Sequence, residues 1–412
     1  MAKNNLRKNF IWNAVGLTLN SANSFFFLIA VRYINGMDIA GIFTYAFALC
    51  ALFYIISFYF NRSFQVSDSH NKFSFNDYFT CRIILSIVSL VLIFLFSLIN
   101  GFPIYEIAVI LLLMLFRITE SISDCFYGAI HKKSHLYQTG ISLSLKAICG
   151  LIAFTLVDYF THNLLLAISM LTIVNLVIFF IYDSRNYRKL YTEKVKLNFT
   201  NLKLILKTCF PVFLFSALSL YLTNCQKYIM PYFESNEAQT IFGILVMPAT
   251  VLGLIGSYLI NPVIEPLTKH FEKRNFVKYI SSSKKILLSL VGVGFFAIVG
   301  FYFLGIPFLN LLYHLDLSAY RIPLTLIIIG SIFAAASMII SSLLTILKEN
   351  RRQTYLYIIT AVLATLISIF FIKSFGIAGA SYAFLISNSI LIILYIALLQ
   401  ITIHQNRKSH AK

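Results

Sequence analysis

Long apolar stretches separated by short polar connections occupy nearly the whole chain. A run of about 20 apolar residues is long enough to cross a bilayer as a helix, and a helix satisfies its own backbone hydrogen bonds in lipid. The pattern therefore predicts an all-α polytopic membrane protein. Twelve transmembrane helices are predicted, at approximately 11–31, 38–60, 78–100, 104–130, 138–158, 163–182, 206–226, 239–264, 286–305, 323–347, 354–372 and 377–400.

The longest connection predicted on the inner side lies midway along the chain, at about 183–203. It separates an N-terminal six-helix bundle at 1–187 from a C-terminal six-helix bundle at 206–412, with a cytoplasmic linker at 188–205. Because six is an even number, both bundles enter the membrane from the same side. This predicts parallel repeats related by a pseudo-two-fold axis along the membrane normal.

Composition and charge support this interpretation. Hydrophobic residues make up 59% of the chain and charged residues 12%, whereas a soluble domain has about 25% charged residues. With both termini in the cytoplasm, 27 of the 33 Lys and Arg residues fall on the cytoplasmic side and 4 outside, as the positive-inside rule expects. The net charge of +18 therefore indicates topology, and we expect no nucleic-acid partner.

The sequence offers little for catalysis. It contains no phosphate-binding P-loop, no recognisable Ser/His/Asp arrangement and no loop large enough to fold as a catalytic domain. The six cysteines have no CxxC spacing and the eight histidines are scattered, so neither a metal site nor a cofactor is predicted. We expect a transporter or flippase, not an enzyme.

Four charged residues interrupt the fourth and fifth predicted spans. Arg117, Glu120 and Asp124 are spaced i, i+3, i+7 and share one helical face, and Lys146 lies inside the next span. Two interpretations stay open: the charges line a cavity, as intramembrane charges usually do, or Arg117 pairs with Glu120 and Lys146 with Asp124, and the pairs hold the helices together.

A polar stripe runs along the first predicted span. Asn13, Asn20 and Ser24 are spaced i, i+7, i+11. The stripe fits either hydrogen bonding between helices or a hydrated lumen that binds sugar hydroxyls.

Five segments, taken in order, carry a resemblance to a known family. The first predicted helix contains WNAVGLTLNSANSFFFLIAVRYI, and the fourth and fifth contain FRITESISDCFYGAIHKKSHLYQTGISLSLKAICG. The second half contains FPVFLFSALSLYLTNCQKYIMPYF, INPVIEPLTKHFEKRN and FGIAGASYAFLISN. In this order they resemble the Wzx-type O-antigen and capsular polysaccharide flippases of the multidrug/oligosaccharidyl-lipid/polysaccharide (MOP) exporter superfamily.

The resemblance implies a MATE-like pair of bundles in the cell inner membrane that moves an undecaprenyl-diphosphate-linked oligosaccharide across the bilayer by alternating access. Arg117 and Lys146 are then candidates for diphosphate attraction, since Arg binds phosphate in a fork. Glu120 and Asp124 would balance charge or carry a coupling proton, with sodium as the other candidate ion. Implied partners are membrane lipid, a polysaccharide polymerase and a chain-length regulator.

Two other functions remain as alternatives. A multidrug or small-molecule exporter of the same fold would have a more apolar and aromatic cavity. A membrane polysaccharide polymerase is disfavoured because it needs catalytic residues on a sizeable outer loop, and the predicted outer loops are short.

Overall fold

The computed structural model describes residues 2–60, 62–68, 72–260 and 263–409. Within this part of the chain every regular element is helical, so the all-α fold class is confirmed there. The α-helices are α1 (Ala2–Ser57), α2 (Arg62–Ser67), α3 (Phe75–Ile99), α4 (Ile104–Lys132), α5 (Leu136–Thr161), α6 (Leu164–Ile178), α7 (Ser184–Leu190), α8 (Leu202–Ile229), α9 (Asn236–Ile260), α10 (Ile264–Glu272), α11 (Phe276–Gly300), α12 (Ile306–Tyr313), α13 (Arg321–Ile346) and α14 (Asn350–Ser409). Short π-helical turns join α6 to α7 (Phe179–Asp183) and α11 to α12 (Phe301–Gly305).

Nine helical segments among the described residues are long and apolar enough to cross a membrane. The chain is therefore a multi-span membrane protein. Helix α4 is not one of the nine, because Arg117, Glu120 and Asp124 interrupt its apolar stretch. Each predicted span nevertheless overlaps one of the helices or helix arms described here.

Helix α1 reverses direction at Gly36, where the backbone takes φ 87° and ψ −175°. Phe27 and Phe43 show the reversal, since both rings contact the Phe154 ring of α5, with centroids 4.8 and 6.2 Å away. Sixteen residues of straight helix would separate them by about 24 Å. Glycine suits this position because a side chain disfavours positive φ. Helix α1 thus contains two arms, which correspond to the first two predicted spans.

Helix α14 reverses in the same way at Gly376, where φ is 57° and ψ is −131°. A Cβ atom at Gly379 would collide with the carbonyl oxygen of Phe371, eight residues earlier. These residues would lie about 12 Å apart along a straight helix. The two arms of α14 correspond to the last two predicted spans.

The chain divides into two compact units, Met1–Ala217 and Leu218–Lys412. In the first unit, α1 packs against α3, α4 and α5. In the second unit, α13 packs against α9, α11 and α14, and Gln226 of α8 donates a hydrogen bond to Ser368 of α14 (3.2 Å). The division falls inside α8. The two predicted six-helix bundles and the linker between them stay a prediction.

Candidate functional site

Helix α4 carries the charged residues that the sequence singles out, and its first pair is Arg117 with Glu120. Arg117 Nη1 lies 2.7 Å from Glu120 Oε2. The guanidinium also stacks on the ring of Phe47, 4.3 Å from its centroid. The two charged side chains are 18% and 16% exposed, so the pair is largely buried but can still be reached. We call it the Arg117 pair.

Asp124 is held by two arginines, Arg62 and Arg82. Arg62 donates from Nε and Nη2 to Asp124 Oδ1, at 3.0 and 2.6 Å, and Arg82 Nη2 lies 3.6 Å from Oδ2. We call this group the Asp124 triad. It contradicts the interpretation in which Asp124 pairs with Lys146.

Arg82 is the most deeply buried member of the Asp124 triad. Its side chain is 0% exposed, and it donates to the backbone carbonyls of Ser57 (3.1 Å) and Phe60 (3.2 Å). These carbonyls lie where the second arm of α1 ends, so Arg82 joins α1, α3 and α4. The local sequence does not predict this burial, because Arg82 lies near the start of an apolar run, where a charge is usually solvated.

Lys146 pairs with Asp183 instead of Asp124. Its ammonium nitrogen lies 2.6 Å from Asp183 Oδ2, and it also donates to Ser123 Oγ (2.6 Å) and Tyr127 Oη (3.0 Å). The Tyr127 hydroxyl in turn bonds Ser142 (2.8 Å). Asp183 closes the π-helical turn between α6 and α7. We call these five residues the Lys146 network.

All three donors of the Lys146 ammonium group are bonded in this network, and the side chain is buried. The arrangement joins α4, α5 and the end of α6. It leaves Lys146 without a free N–H group for a ligand.

The polar stripe of α1 lies beside the face that packs on α5. That packing face carries Asn9 and Asn23, whose amides donate to backbone carbonyls of Ser134 (2.9 Å) and Ala147 (3.2 Å). Asn13, Asn20 and Ser24 are half-buried. The Ser24 hydroxyl bonds the Ser21 carbonyl (3.1 Å).

The amide oxygen of Asn13 is buried and accepts no hydrogen bond from any residue that the structure describes. A buried acceptor without a donor is costly. Asn13 is therefore the member of the stripe best placed to accept a hydrogen bond from a ligand hydroxyl or a water molecule.

Taken together, the Arg117 pair, the Asp124 triad and the Lys146 network contain four cations and three anions, all in the first unit. Sequence reasoning missed Arg62, Arg82 and Asp183 as members, since each lies near a polar connection and was assigned to it. Within the described residues no group of three or more His, Cys, Asp or Glu side chains could hold a metal ion. The partly exposed side chains of Arg62 and Arg117 can attract an anion, with hydrogen bonding beside them.

Comparison with known proteins shows what the chain is similar to. No family model matches it. It is 24% identical over 396 residues to the capsular polysaccharide biosynthesis protein CapF of Staphylococcus aureus, a match that covers 94% of this chain and 98% of CapF.

Solved structures share its fold. The lipid II flippase MurJ in an inward closed conformation superimposes with a TM-score of 0.74 at 14% identity, over 95% of this chain and 87% of MurJ. An inward-facing multidrug-resistance MATE transporter of the MOP superfamily gives 0.70 at 13% identity, over 97% and 99%.

The chain thus shares the fold of these two solved transport proteins, the second of which belongs to the MOP superfamily. The nearly full-length match to CapF confirms the predicted resemblance to a protein of surface-polysaccharide biosynthesis.

Proposed function

We propose that this chain is a flippase that moves an undecaprenyl-diphosphate-linked oligosaccharide across the cell inner membrane, by alternating access, for a surface polysaccharide such as capsule or O-antigen. The observation that carries the proposal is the match to a capsular polysaccharide biosynthesis protein over 94% of this chain. The twelve predicted spans with both termini in the cytoplasm belong to the same proposal. A polysaccharide polymerase and a chain-length regulator would act on the delivered glycan.

Arg117 is our first candidate for contact with the diphosphate. A guanidinium has five N–H donors, and among the described residues the Arg117 side chain donates to Glu120 alone. The remaining donors can bind phosphate oxygens in a fork. Arg62 is the second candidate, because its side chain is 20% exposed while it holds Asp124.

The other predicted site residues take supporting roles in this proposal. Lys146 positions α5 against α4 and does not touch the substrate. Asp124 balances the charge of Arg62 and Arg82, and Glu120, with a single cationic partner, is the candidate for carrying a coupling proton or responding to sodium. Asn13, Asn20 and Ser24 offer hydrogen bonds to sugar hydroxyls.

The test is surface polysaccharide in a strain whose own copy of the gene is replaced by a tagged variant. With Arg117→Ala, surface polysaccharide falls more than tenfold and the lipid-linked oligosaccharide accumulates in the membrane. The reason is that the diphosphate loses the two parallel hydrogen bonds that a guanidinium can donate. Arg117→Lys retains part of the activity, since it keeps the charge without the fork. Arg351→Ala, at an exposed cation at the start of α14, is the matched control and leaves export unchanged.

Protein abundance is followed by immunoblot in the same cells. Normal export by an Arg117→Ala protein present at the wild-type level contradicts the assignment of Arg117. Normal surface polysaccharide in the complete deletion contradicts the proposed function itself.

A multidrug exporter is the second candidate function, because MATE transporters share the fold with TM-scores up to 0.70. It predicts that the deletion sensitises cells at least fourfold to cationic drugs and leaves the surface glycan intact. The flippase proposal predicts the opposite pair of results.

A further inference from the structure

A cavity of about 870 Å³ opens in the first unit between α3, α4, the end of α6 and the segment that follows α7. Its inner wall is aromatic. Phe126 packs edge-on against Phe179, with centroids 5.0 Å apart, and against Tyr187 at 5.1 Å. The outer wall is formed by Leu176 and Phe180, which are exposed on a candidate membrane span. The cavity therefore lies beside the bilayer.

The cavity is separate from the charged groups described above. Ile122 and Phe126 line it, and they lie on the side of α4 opposite to Arg117 and Asp124, given 100° per residue. No member of the Arg117 pair, the Asp124 triad or the Lys146 network lines it. It is not part of the proposed diphosphate site.

The rim of the cavity is basic. Arg188 and Lys194 line it together with Glu193. Between 184 and 197 the chain has five cations and the single acid Glu193. The five cations, all exposed, are Arg185, Arg188, Lys189, Lys194 and Lys196. Neither Arg188 nor Lys194 forms an ion pair with any residue that the structure describes, so both charges are available to an anion at the mouth.

The segment beyond the rim forms neither helix nor strand, its even residues 194, 196 and 198 bond to α3 through their backbone, and its side chains alternate in character. Its even positions include Lys194 and Lys196, and its odd positions are Val195, Leu197 and Phe199, which are 38%, 55% and 61% exposed. Helix α3 holds the segment in place, because the Lys196 backbone N–H donates to Asn76 Oδ1 (3.0 Å). Exposed apolar groups and exposed lysines thus alternate along the segment, as suits a membrane interface.

We propose that this cavity binds an anionic phospholipid, with an acyl chain against the aromatic wall and the phosphate at Arg188 and Lys194. Val195, Leu197 and Phe199 then lie in the interfacial layer of the same leaflet. The excess of five cations over one acid selects an anionic headgroup, since basic pockets beside spans attract such lipids. A phospholipid fits better than a lipid-linked glycan, because the inner wall offers aromatic rings in place of donors and acceptors for sugar hydroxyls. The site does not depend on what the protein transports.

The experiment is native mass spectrometry of the purified full-length protein in detergent, titrated with dioleoylphosphatidylglycerol or dioleoylphosphatidylcholine. The wild type binds the anionic lipid at least tenfold more tightly than the zwitterionic one. Arg188→Glu with Lys194→Glu weakens anionic-lipid binding at least tenfold. Lys284→Glu with Lys285→Glu, at two exposed cations of α11, makes the same change in net charge and leaves binding intact.

A second pair of variants tests the cavity itself. Leu176→Trp fills its outer wall and lowers binding, whereas Leu166→Trp, at an exposed position of the same helix, does not. Elution volume and melting temperature establish that each variant is folded. If a tryptophan variant does not fold, the charge-reversal variants at exposed positions still test the proposal. Equal loss in both charge-reversal pairs, equal affinity for the two lipids, or recovery of a polyprenyl lipid from the cavity overturns the proposal.

Discussion

Arg117 and Lys146 are both cations beside an acid, yet they differ in how many N–H groups the protein already uses. Lys146 gives all three of its donors to Ser123, Tyr127 and Asp183. Among the described residues, Arg117 gives one of its five to Glu120. The sequence singles out both residues by their depth in an apolar helix. Only the contacts of Lys146 with α4 and with the turn after α6 distinguish a structural cation from one that can bind a ligand.

The Lys146 network provides a prediction about stability. Lys146→Met leaves the Asp183 carboxylate buried without its cation, which costs about 3–5 kcal/mol. We expect a melting temperature in detergent well below that of the wild type. Lys146→Met combined with Asp183→Leu removes both charges and recovers most of the loss, because an apolar pair avoids the desolvation of a buried ion pair.

Thermal unfolding of the purified single and double variants measures both effects. Lys269→Met is the control for loss of a lysine, since the pair of Lys269 with Glu265 is exposed. If the double variant is less stable than Lys146→Met alone, the pairing of Lys146 with Asp183 does not account for the burial of either residue.

Asp68, outside the membrane spans, gives a prediction about pH. Its burial acts to raise the pKa of the carboxyl group, but hydrogen bonds from the backbone N–H groups of Phe73 and Lys72 and from the Tyr78 hydroxyl outweigh this, so the pKa lies below its usual value. A carboxyl whose pKa is lowered by folding stabilises the fold above its unfolded pKa, about 3.9, and the contribution is lost as pH falls through the lower folded pKa.

Asp68→Asn should therefore lower the melting temperature at pH 7, and the difference from wild type should shrink as the pH falls below about 4. Thermal unfolding at a series of pH values measures it. Glu272→Gln, at an exposed carboxyl group at the end of α10, is the control. A difference for Asp68→Asn that is constant across this range contradicts the assigned hydrogen bonds.

At the scale of the helices, hydrophobic periodicity predicts position well and side-chain partners poorly. The predicted gaps near Gly36 and Gly376 coincide with the two helix reversals, because glycine permits the positive φ that each reversal requires. The burial of Arg82 and Asp183 was not predicted, since each lies near the end of an apolar run and resembles an interfacial charge. Their burial depends on carbonyls and side chains of other helices, which no local pattern encodes.

The crossing of α1 and α5 is the element whose geometry depends most on small residues. A Cβ atom at Gly16 would lie 2.4 Å from the Gly140 carbonyl oxygen. A Cβ atom at Gly140 would meet the Trp12 backbone at similar distance. The two backbones therefore touch, as small residues allow in membrane helices. This contact sets the position of Asn13, one turn from Gly16, relative to α5.

Gly16→Ala should destabilise the protein by about 1–3 kcal/mol, as overpacking does, because backbone cannot move aside as a side chain can. Gly292→Ala is the matched control on α11, where a Cβ atom meets nothing within 4 Å. It should be neutral or stabilise by up to about 1 kcal/mol, since alanine favours helix over glycine. Melting temperatures of both variants in one detergent decide the matter, and equal values would show that α1 and α5 do not touch at Gly16.

At the scale of the whole molecule, the number of membrane crossings determines on which side each terminus lies. Nine uninterrupted segments qualify as spans among the described residues, and nine is odd, which would place the termini on opposite sides. Two of the nine, α1 and α14, are 56 and 60 residues long. Straight helices of that length would extend about 84 and 90 Å, far beyond the roughly 30 Å hydrocarbon core. Division at the two glycines gives eleven segments, and α4 makes twelve.

We therefore predict that both termini lie in the cytoplasm and that α4 crosses the bilayer despite its charges, because Arg117, Glu120 and Asp124 are paired within the protein. Fusions of green fluorescent protein after residues 193, 273 and 409 should fluoresce. Alkaline phosphatase fused after residues 162, 235 and 376 should be active outside. The fusions after 376 and 409 flank the second arm of α14 and test whether it crosses the membrane. Fusions after 102 and 133 flank α4 and test the same for that helix. Phosphatase activity at both 102 and 133 would mean that α4 does not cross the membrane. The number of crossings would then be odd, and the prediction that both termini lie on the same side would be contradicted.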